Sequence, residues 1–247
     1  MGAAALLLMG GTAQSAETFT ADQLVAKNLA ARGGAEKLAA LRSVKFTGKL
    51  IFPGGFELAY TEVRARGQGV RVDASLQGMT AMQGYDGKEA WRVNPFQGRR
   101  DPDLMSPDEM RQMEDSGSIE GALLANQAGK GSVVAQGIED VDGTPAYKLK
   151  VTQADGDEFT YFLDPDTFLE IKLVESRRIR GAETVSESDI GDYEKVAGVY
   201  FPMAISTGPQ GSSPNQRQTI AVDTAEANVE IAPRYFNIPA APASKPK

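Results

Sequence analysis

Residues 44–60, Val44-Lys45-Phe46-Thr47-Gly48-Lys49-Leu50-Ile51-Phe52-Pro53-Gly54-Gly55-Phe56-Glu57-Leu58-Ala59-Tyr60, decide the fold. Val44, Phe46, Leu50 and Phe52 alternate with Lys45, Thr47 and Lys49, and Phe56, Leu58 and Tyr60 take the alternation up again. A period of two places alternate side chains on one face of a strand. Pro53-Gly54-Gly55 supplies the backbone freedom of a turn. The stretch therefore predicts an antiparallel hairpin with one apolar face.

Downstream the same period returns in Val70–Ala74, Met79–Tyr85 and Glu89–Val93, then around Tyr147, Leu149 and Val151, around Phe159, Tyr161 and Leu163, around Leu169, Ile171 and Leu173, and in Val199, Phe201, Met203 and Ile205. Three Asp-Gly pairs, at 86–87, 142–143 and 155–156, read as type I′ hairpin turns, which need positive φ at both central positions. Thr207 to Gln216 reads as a Gly/Pro/Ser loop.

Two segments break the pattern. Thr20 followed by Gln23 forms a capping box, so a helix is expected from Ala21, with Leu24, Val25 and Leu29 on one side and Arg32-Gly33-Gly34 ending it. A short helical turn over Glu36–Leu41 leads into the sheet. Between about Asn94 and Gly131 the pattern is helical and loop-like. Ser106, Pro107 and Glu109 mark a second capped helix, Met105 and Met110 flank its cap, and Ile119 to Ala125 predicts another short one. Five of the eight methionines, Met79, Met82, Met105, Met110 and Met113, fall in residues 79–113; Met refits its shape around variable apolar partners, though it also fills gaps in ordinary cores.

Composition narrows function. The 247 residues contain no His and no Cys, so the commonest general base, thiol nucleophile and transition-metal ligands are missing. The pairs Asp101/Asp103, Asp140/Asp142, Asp155/Asp157 and Asp164/Asp166 sit in predicted turns without calcium-loop spacing. No Gly-x-Ser-x-Gly elbow occurs, and the Lys130 loop has Leu124 where a phosphate loop needs Gly. No catalytic residue, metal site or cofactor is assigned, and the reading is not an enzyme. A net charge of −7 argues against a nucleic-acid partner.

The run Ala3–Met9, followed by small residues to Ala16, reads as a secretory signal over residues 1–16 whose basic beginning is expected upstream of Met1. It falls short of the ~20 residues of a membrane-spanning helix. With no lipid-acceptor Cys, the exported chain is expected to be soluble. Residues 17–239 are expected as one domain and 240–247 as a disordered tail.

Several tracts together carry a family likeness: Arg32-Gly33-Gly34 with Leu38, Leu41, Ser43-Val44 and Gly48; Tyr85-Asp86-Gly87-Lys88-Glu89-Ala90-Trp91; residues 163–172; Asp192 to Pro202; and Tyr235-Phe236-Asn237-Ile238-Pro239. In this order they resemble the outer-membrane lipoprotein-sorting, LolA/LolB-like superfamily. The resemblance implies a mainly β (α+β) fold, a large curved antiparallel sheet of about eleven strands forming an unclosed β-barrel capped by the N-terminal helix and the mid-chain helical insertion. It also implies a periplasmic carrier of lipids or lipoprotein acyl chains, with an inner-membrane exporter and an outer-membrane acceptor as partners. The carrier's lid-latching Arg finds no matching motif, so no latch is carried over.

The candidates for an apolar lining are Phe46, Phe52, Phe56, Leu58, Tyr60, Met79, Trp91, Met110, Met113, Phe159, Tyr161 and Met203, although the same pattern serves ordinary core packing. Burying ten methylenes would contribute on the order of 8 kcal/mol before ordering costs. The alternative is a lipid- or peptide-sensing envelope module of the same fold, which a stable protein partner without lipid transfer would favour.

Overall fold

The computed structural model describes residues 19–127 and 131–240. The expected leader over 1–16 lies outside the described residues, as does the expected tail from residue 241 onward. Helix α1 (Ala21–Ala31) begins where predicted: the Thr20 hydroxyl accepts the Gln23 amide, and Gln23 Oε1 accepts the Thr20 amide at 2.8 Å. These bonds satisfy amides that the first helical turn leaves without partners. Helix α2 (Ala35–Ala40) follows after Gly33, where a Cβ would collide with the Gly198 carbonyl.

A meander of six strands comes next: β1 (Ser43–Phe52), β2 (Phe56–Ala65), β3 (Gly69–Leu76), β4 (Met79–Tyr85), β5 (Ala90–Asn94) and β6 (Arg99–Leu104). Helices α3 (Pro107–Ser116) and α4 (Ala122–Gln127) separate it from a second meander. That one comprises β7 (Gly131–Val141), β8 (Thr144–Gln153), β9 (Glu158–Leu163), β10 (Glu170–Ile179), β11 (Ala182–Val196), β12 (Val199–Pro209) and β13 (Gln218–Ala227). All thirteen form one antiparallel sheet, ordered β6-β5-β4-β3-β2-β1-β13-β12-β11-β10-β9-β8-β7. Every neighbouring pair is consecutive in sequence except β1 with β13. The strands β6 and β7 remain unpaired edges, so the barrel is unclosed, and α3 and α4 form a strap in the chain between them.

The sheet has thirteen strands rather than eleven. Strand β6 lies inside the segment expected to be helical and loop-like; its charged residues and Pro102 give no apolar alternation. Strands β11 and β13 carry mostly Ser, Thr, Ala, Glu and Asp, so the period-two signal is weak there. The expected loop from Thr207 starts late, because β12 runs to Pro209. The expected helix over Ile119–Ala125 begins only at Ala122: Gly121 has φ 79°, and its amide is held by the Ser118 hydroxyl.

Only one Asp-Gly pair forms the expected turn with two positive φ values, Asp142 (51°) with Gly143 (90°). At 86–87 and 155–156 Gly alone is left-handed. There the Asp carboxylate accepts amides two or three residues on, Lys88 and Glu89 for Asp86 and Asp157 for Asp155. An Asx bond replaces the second strained residue.

Both sheet faces carry packing. On the inner face, one cluster joins α2 to β1, β2 and β12 through Leu38, Leu41, Val44, Phe46, Tyr60, Val199, Phe201 and Met203. A second joins α1 and α4 to β8 and β9 through Leu24, Val25, Leu123, Leu149, Val151 and Phe159. On the outer face the C-terminal segment packs Tyr235 and Phe236 against Val63 and Ala65. Trp91 belongs to this side: its indole donates to the Phe236 carbonyl at 2.8 Å and its ring covers Gly84, the residue paired with it across β4 and β5. A Cβ at Gly84 would enter that ring. Gly84→Ala should therefore lose about 1–3 kcal/mol in urea unfolding, whereas Gly191→Ala, in open space on β11, should be neutral or slightly stabilising.

A candidate ligand cavity beneath the helical strap

The strap is fixed to both halves of the sheet. Met105, Met110 and Met113 pack on Val70, Tyr85 and Ala90, which seats α3 on β3, β4 and β5. Glu109 accepts from Arg92 of β5 at 2.8 Å and from Arg180, beyond β10, at 3.0 Å. Asp115 receives Arg177 of β10 at 2.8 Å, and the same guanidinium nitrogen also meets Asp157. Burial alone would raise the Glu109 pKa, but the Ser106 amide, Arg92, the Ser106 hydroxyl and Arg180 together lower it from 4.5 to about 2. A depressed native pKa stabilises the folded state above the unfolded carboxyl range, and that stabilisation fades as pH falls toward the native value.

The loop between α3 and α4 is held by three arginines. Arg32, the C-cap of α1, donates to the carbonyls of Glu120 and, at 3.1 Å, of Ile119. Arg66 pairs with the Glu120 carboxylate and donates to the Leu38 and Leu41 carbonyls. Arg64 donates to the Ser118 carbonyl at 3.4 Å.

Beneath that loop lies a cavity of about 210 Å³. Its walls come from both meanders: Phe46 of β1, Tyr60, Glu62 and Arg64 of β2, Tyr161 of β9, Glu170 and Leu173 of β10, Ile190 and Tyr193 of β11, Phe201 and Ile205 of β12, and Ile220 and Val222 of β13. Strand register makes part of this wall a belt. Leu58 faces Leu50, Leu50 faces Ile220, Ile220 faces Ile205, and Ile205 faces Ile190. Five strands thus contribute one aliphatic residue each to a continuous row. Leu50 and Leu58 are buried, while Ile190, Ile205 and Ile220 remain partly open.

Polar groups stand at one side of the belt. The Tyr60 hydroxyl donates to Glu62 Oε2 at 2.5 Å, and Arg64 Nε to Glu62 Oε1 at 2.7 Å. Desolvation and then the Glu62 charge hold the Tyr60 phenol well above its ordinary pKa. The Tyr193 hydroxyl donates to both the Glu170 carbonyl and its Oε2, at 2.9 and 3.0 Å. Burial, followed by Glu170, likewise raises Tyr193.

Of the twelve lining candidates, Phe46, Tyr60 and Tyr161 border this cavity. Leu58 and Met203 pack in the adjoining inner cluster, and Phe159 is fully buried against α1 and α4. Phe52, Phe56 and Met79 sit at strand ends, with Phe56 51% and Met79 37% exposed. Met110 and Met113 anchor α3, and Trp91 lies on the outer face. Arg32, Glu62, Glu170, Ile190, Ile205 and Ile220 also border the cavity and were not among the candidates; the alternation Val199, Phe201, Met203, Ile205 on β12 was the one available signal. A larger depression of about 320 Å³ beside Glu114 and Gly117–Glu120 is floored by turn residues 65–69 rather than by this apolar wall.

No family model and no curated protein matches the sequence. Solved structures do share the fold. A DUF1329 family protein from Desulfovibrio piger matches with a TM-score of 0.60 and 11% identity, over 89% of this chain and 98% of that one. A LolA superfamily protein from Nitrosomonas europaea gives 0.56 and 14%, over 89% and 98%. A domain described as outer membrane lipoprotein-sorting, from Vibrio parahaemolyticus, gives 0.56 and 13%, over 88% and 97%. The chain has the LolA-like fold, and among the described residues no helix is long and apolar enough to cross a membrane.

Glu109→Gln should lower the melting free energy at neutral pH by about 1–3 kcal/mol through the weakened charged hydrogen bonds. The gap to wild type should shrink between the unfolded carboxyl range and pH about 2, measured by pH-resolved thermal melts.

Proposed function

We propose that this chain is a carrier of the cell envelope that shelters the aliphatic part of a lipid, or of a lipoprotein's acyl chains, against the five-strand belt, rather than an enzyme. The observation that carries this reading is the row Leu58, Leu50, Ile220, Ile205 and Ile190, whose last three members line a cavity and stay partly exposed. The LolA-like fold supports it. Export to the periplasm, hand-over from an inner-membrane exporter and delivery to an outer-membrane acceptor belong to the same proposal.

The cavity is smaller than the ~300–1,000 Å³ common for ligand pockets. A long chain therefore needs added room, which movement of the loop before α4 supplies in this proposal. The arginine contacts to that loop set the barrier, Arg32 first, because it is buried and joins α1 to two backbone carbonyls. Each hydrogen bond from a charged donor contributes about 1.5–3 kcal/mol, enough to hold a lid shut yet releasable by an incoming apolar chain.

A fluorescent dodecanoyl probe should bind saturably to the purified protein, and native mass spectrometry should detect lipid adducts. Ile205→Asn should weaken the probe at least tenfold with little change in melting temperature. Absence of both lipid and probe binding would remove the carrier reading, and a stable protein partner captured without any lipid would favour the sensing module instead. In stopped-flow mixing, Arg32→Leu should admit the probe several-fold faster than wild type; equal rates would exclude Arg32 from gating.

A further inference from the structure

The polar side of the cavity is not symmetric in its satisfaction, and this bears on which end of an amphiphile it receives. Glu62 has both oxygens engaged, one by Tyr60 and one by Arg64. Glu170 is 8% exposed and lines the same cavity. Its Oε2 accepts the Tyr193 hydroxyl, but among the described residues Oε1 receives no hydrogen bond and no Lys or Arg nitrogen lies within ion-pairing distance of the carboxyl group. Arg32, which also borders the cavity, directs both terminal nitrogens to the carbonyls of Ile119 and Glu120. Oε1 is not one of the fully buried polar atoms that lack a partner, so it keeps accessible surface, and with Glu170 lining the cavity that surface is open to an entering donor.

We infer that Glu170 is the anchor for the head of an amphiphile that presents an N–H donor, an ammonium or an amide, with its aliphatic chain laid along Ile190, Ile205 and Ile220. Three features agree. The open oxygen of the carboxyl group is an acceptor, which an N–H head can satisfy. The second cavity carboxyl group, Glu62, is already engaged by Arg64 and Tyr60, which leaves Glu170 as the carboxyl group with an open oxygen. The Tyr193 hydroxyl bonds both the backbone and side-chain oxygens of Glu170, which fixes the carboxyl orientation before ligand arrives. A head carrying only acceptor oxygens would face two carboxyl groups, with Arg32 turned to the loop carbonyls and Arg64 bonded to Glu62 and Ser118 but keeping Nη2 without a hydrogen bond among the described residues, so decanoate is the deciding competitor. This inference rests on the carrier reading and adds to it the polarity of the cargo.

The test uses three compounds with the same ten-carbon chain, decylammonium, N-decylacetamide and decanoate, titrated calorimetrically below their micelle concentrations into wild-type protein and into Glu170→Gln. The expected result is that at least one N–H compound binds wild type ten or more times more tightly than decanoate, and that Glu170→Gln reduces this preference to threefold or less. Preference for the ammonium alone identifies a charged amine head, and preference that includes the acetamide identifies an acyl-amide head. The wild-type comparison needs no variant, so it stands if Glu170→Gln fails to fold. Equal binding of all three compounds to wild type, or a preference that Glu170→Gln leaves intact, overturns the assignment to Glu170 while the carrier reading survives. Binding of none of the three, together with no uptake of the dodecanoyl probe, removes both.

Discussion

The pairing of β1 with β13 is the constraint on which the other features depend. It matches Val44 with Ala227 and Leu50 with Ile220, residues separated by most of the chain, and it is the sole non-sequential strand pairing among the described residues. Each meander can form from local hairpins; only this ladder makes them one surface. It brings the aliphatics of β1 and β2 alongside those of β11, β12 and β13, so the belt exists only once the ladder has closed. It also sends β6 and β7 to opposite edges and obliges the intervening segment to run between them as a strap. Such long-range pairing is slow to reach, because loop entropy must be lost before the contacts compensate it.

The two ways of fastening the strap differ physically. Helix α3 is seated by methionines and Arg92 on one half of the sheet and by Arg180 and the buried Arg177 on the other. The loop before α4 is held by guanidinium groups on backbone carbonyls. Those bonds either form or break. In the proposed carrier α3 is the hinge side of the cover, and the loop before α4, above the cavity, is the side that releases.

Much of the architecture was legible because the relevant signals are local. The alternation from Val44 to Tyr60, the capping boxes at Thr20 and Ser106 and the turn at Asp142 each depend on residues a few positions apart. The cavity was less legible for the opposite reason. Trp91 is on β5, where both faces are buried, so alternation cannot tell inward from outward. Arg32 read as a helix-ending cation; its partners are carbonyls 87 and 88 residues away, and any residue type offers a carbonyl. Glu170 was hidden inside a turn-and-strand tract, and its importance comes from a bond it lacks. Strands β11 and β13 line the cavity with two isoleucines, a valine and Tyr193 among small polar residues, too sparse a pattern to mark an inner wall.

The two free edges invite a question about polymerisation. On β6, Arg99, Arg100, Asp101 and Asp103 crowd six residues and Pro102 removes an amide, so another strand gains little by docking there. On β7 the defence is thinner: a bulge between Ala135 and Ile138, with Val134 and Ile138 exposed. Growth of a fibre needs a receptive edge at each end of every molecule. This chain has one. Two copies joined through β7 would use the same edge twice, an isologous contact that terminates at a pair, so the unclosed barrel can remain open without seeding aggregates.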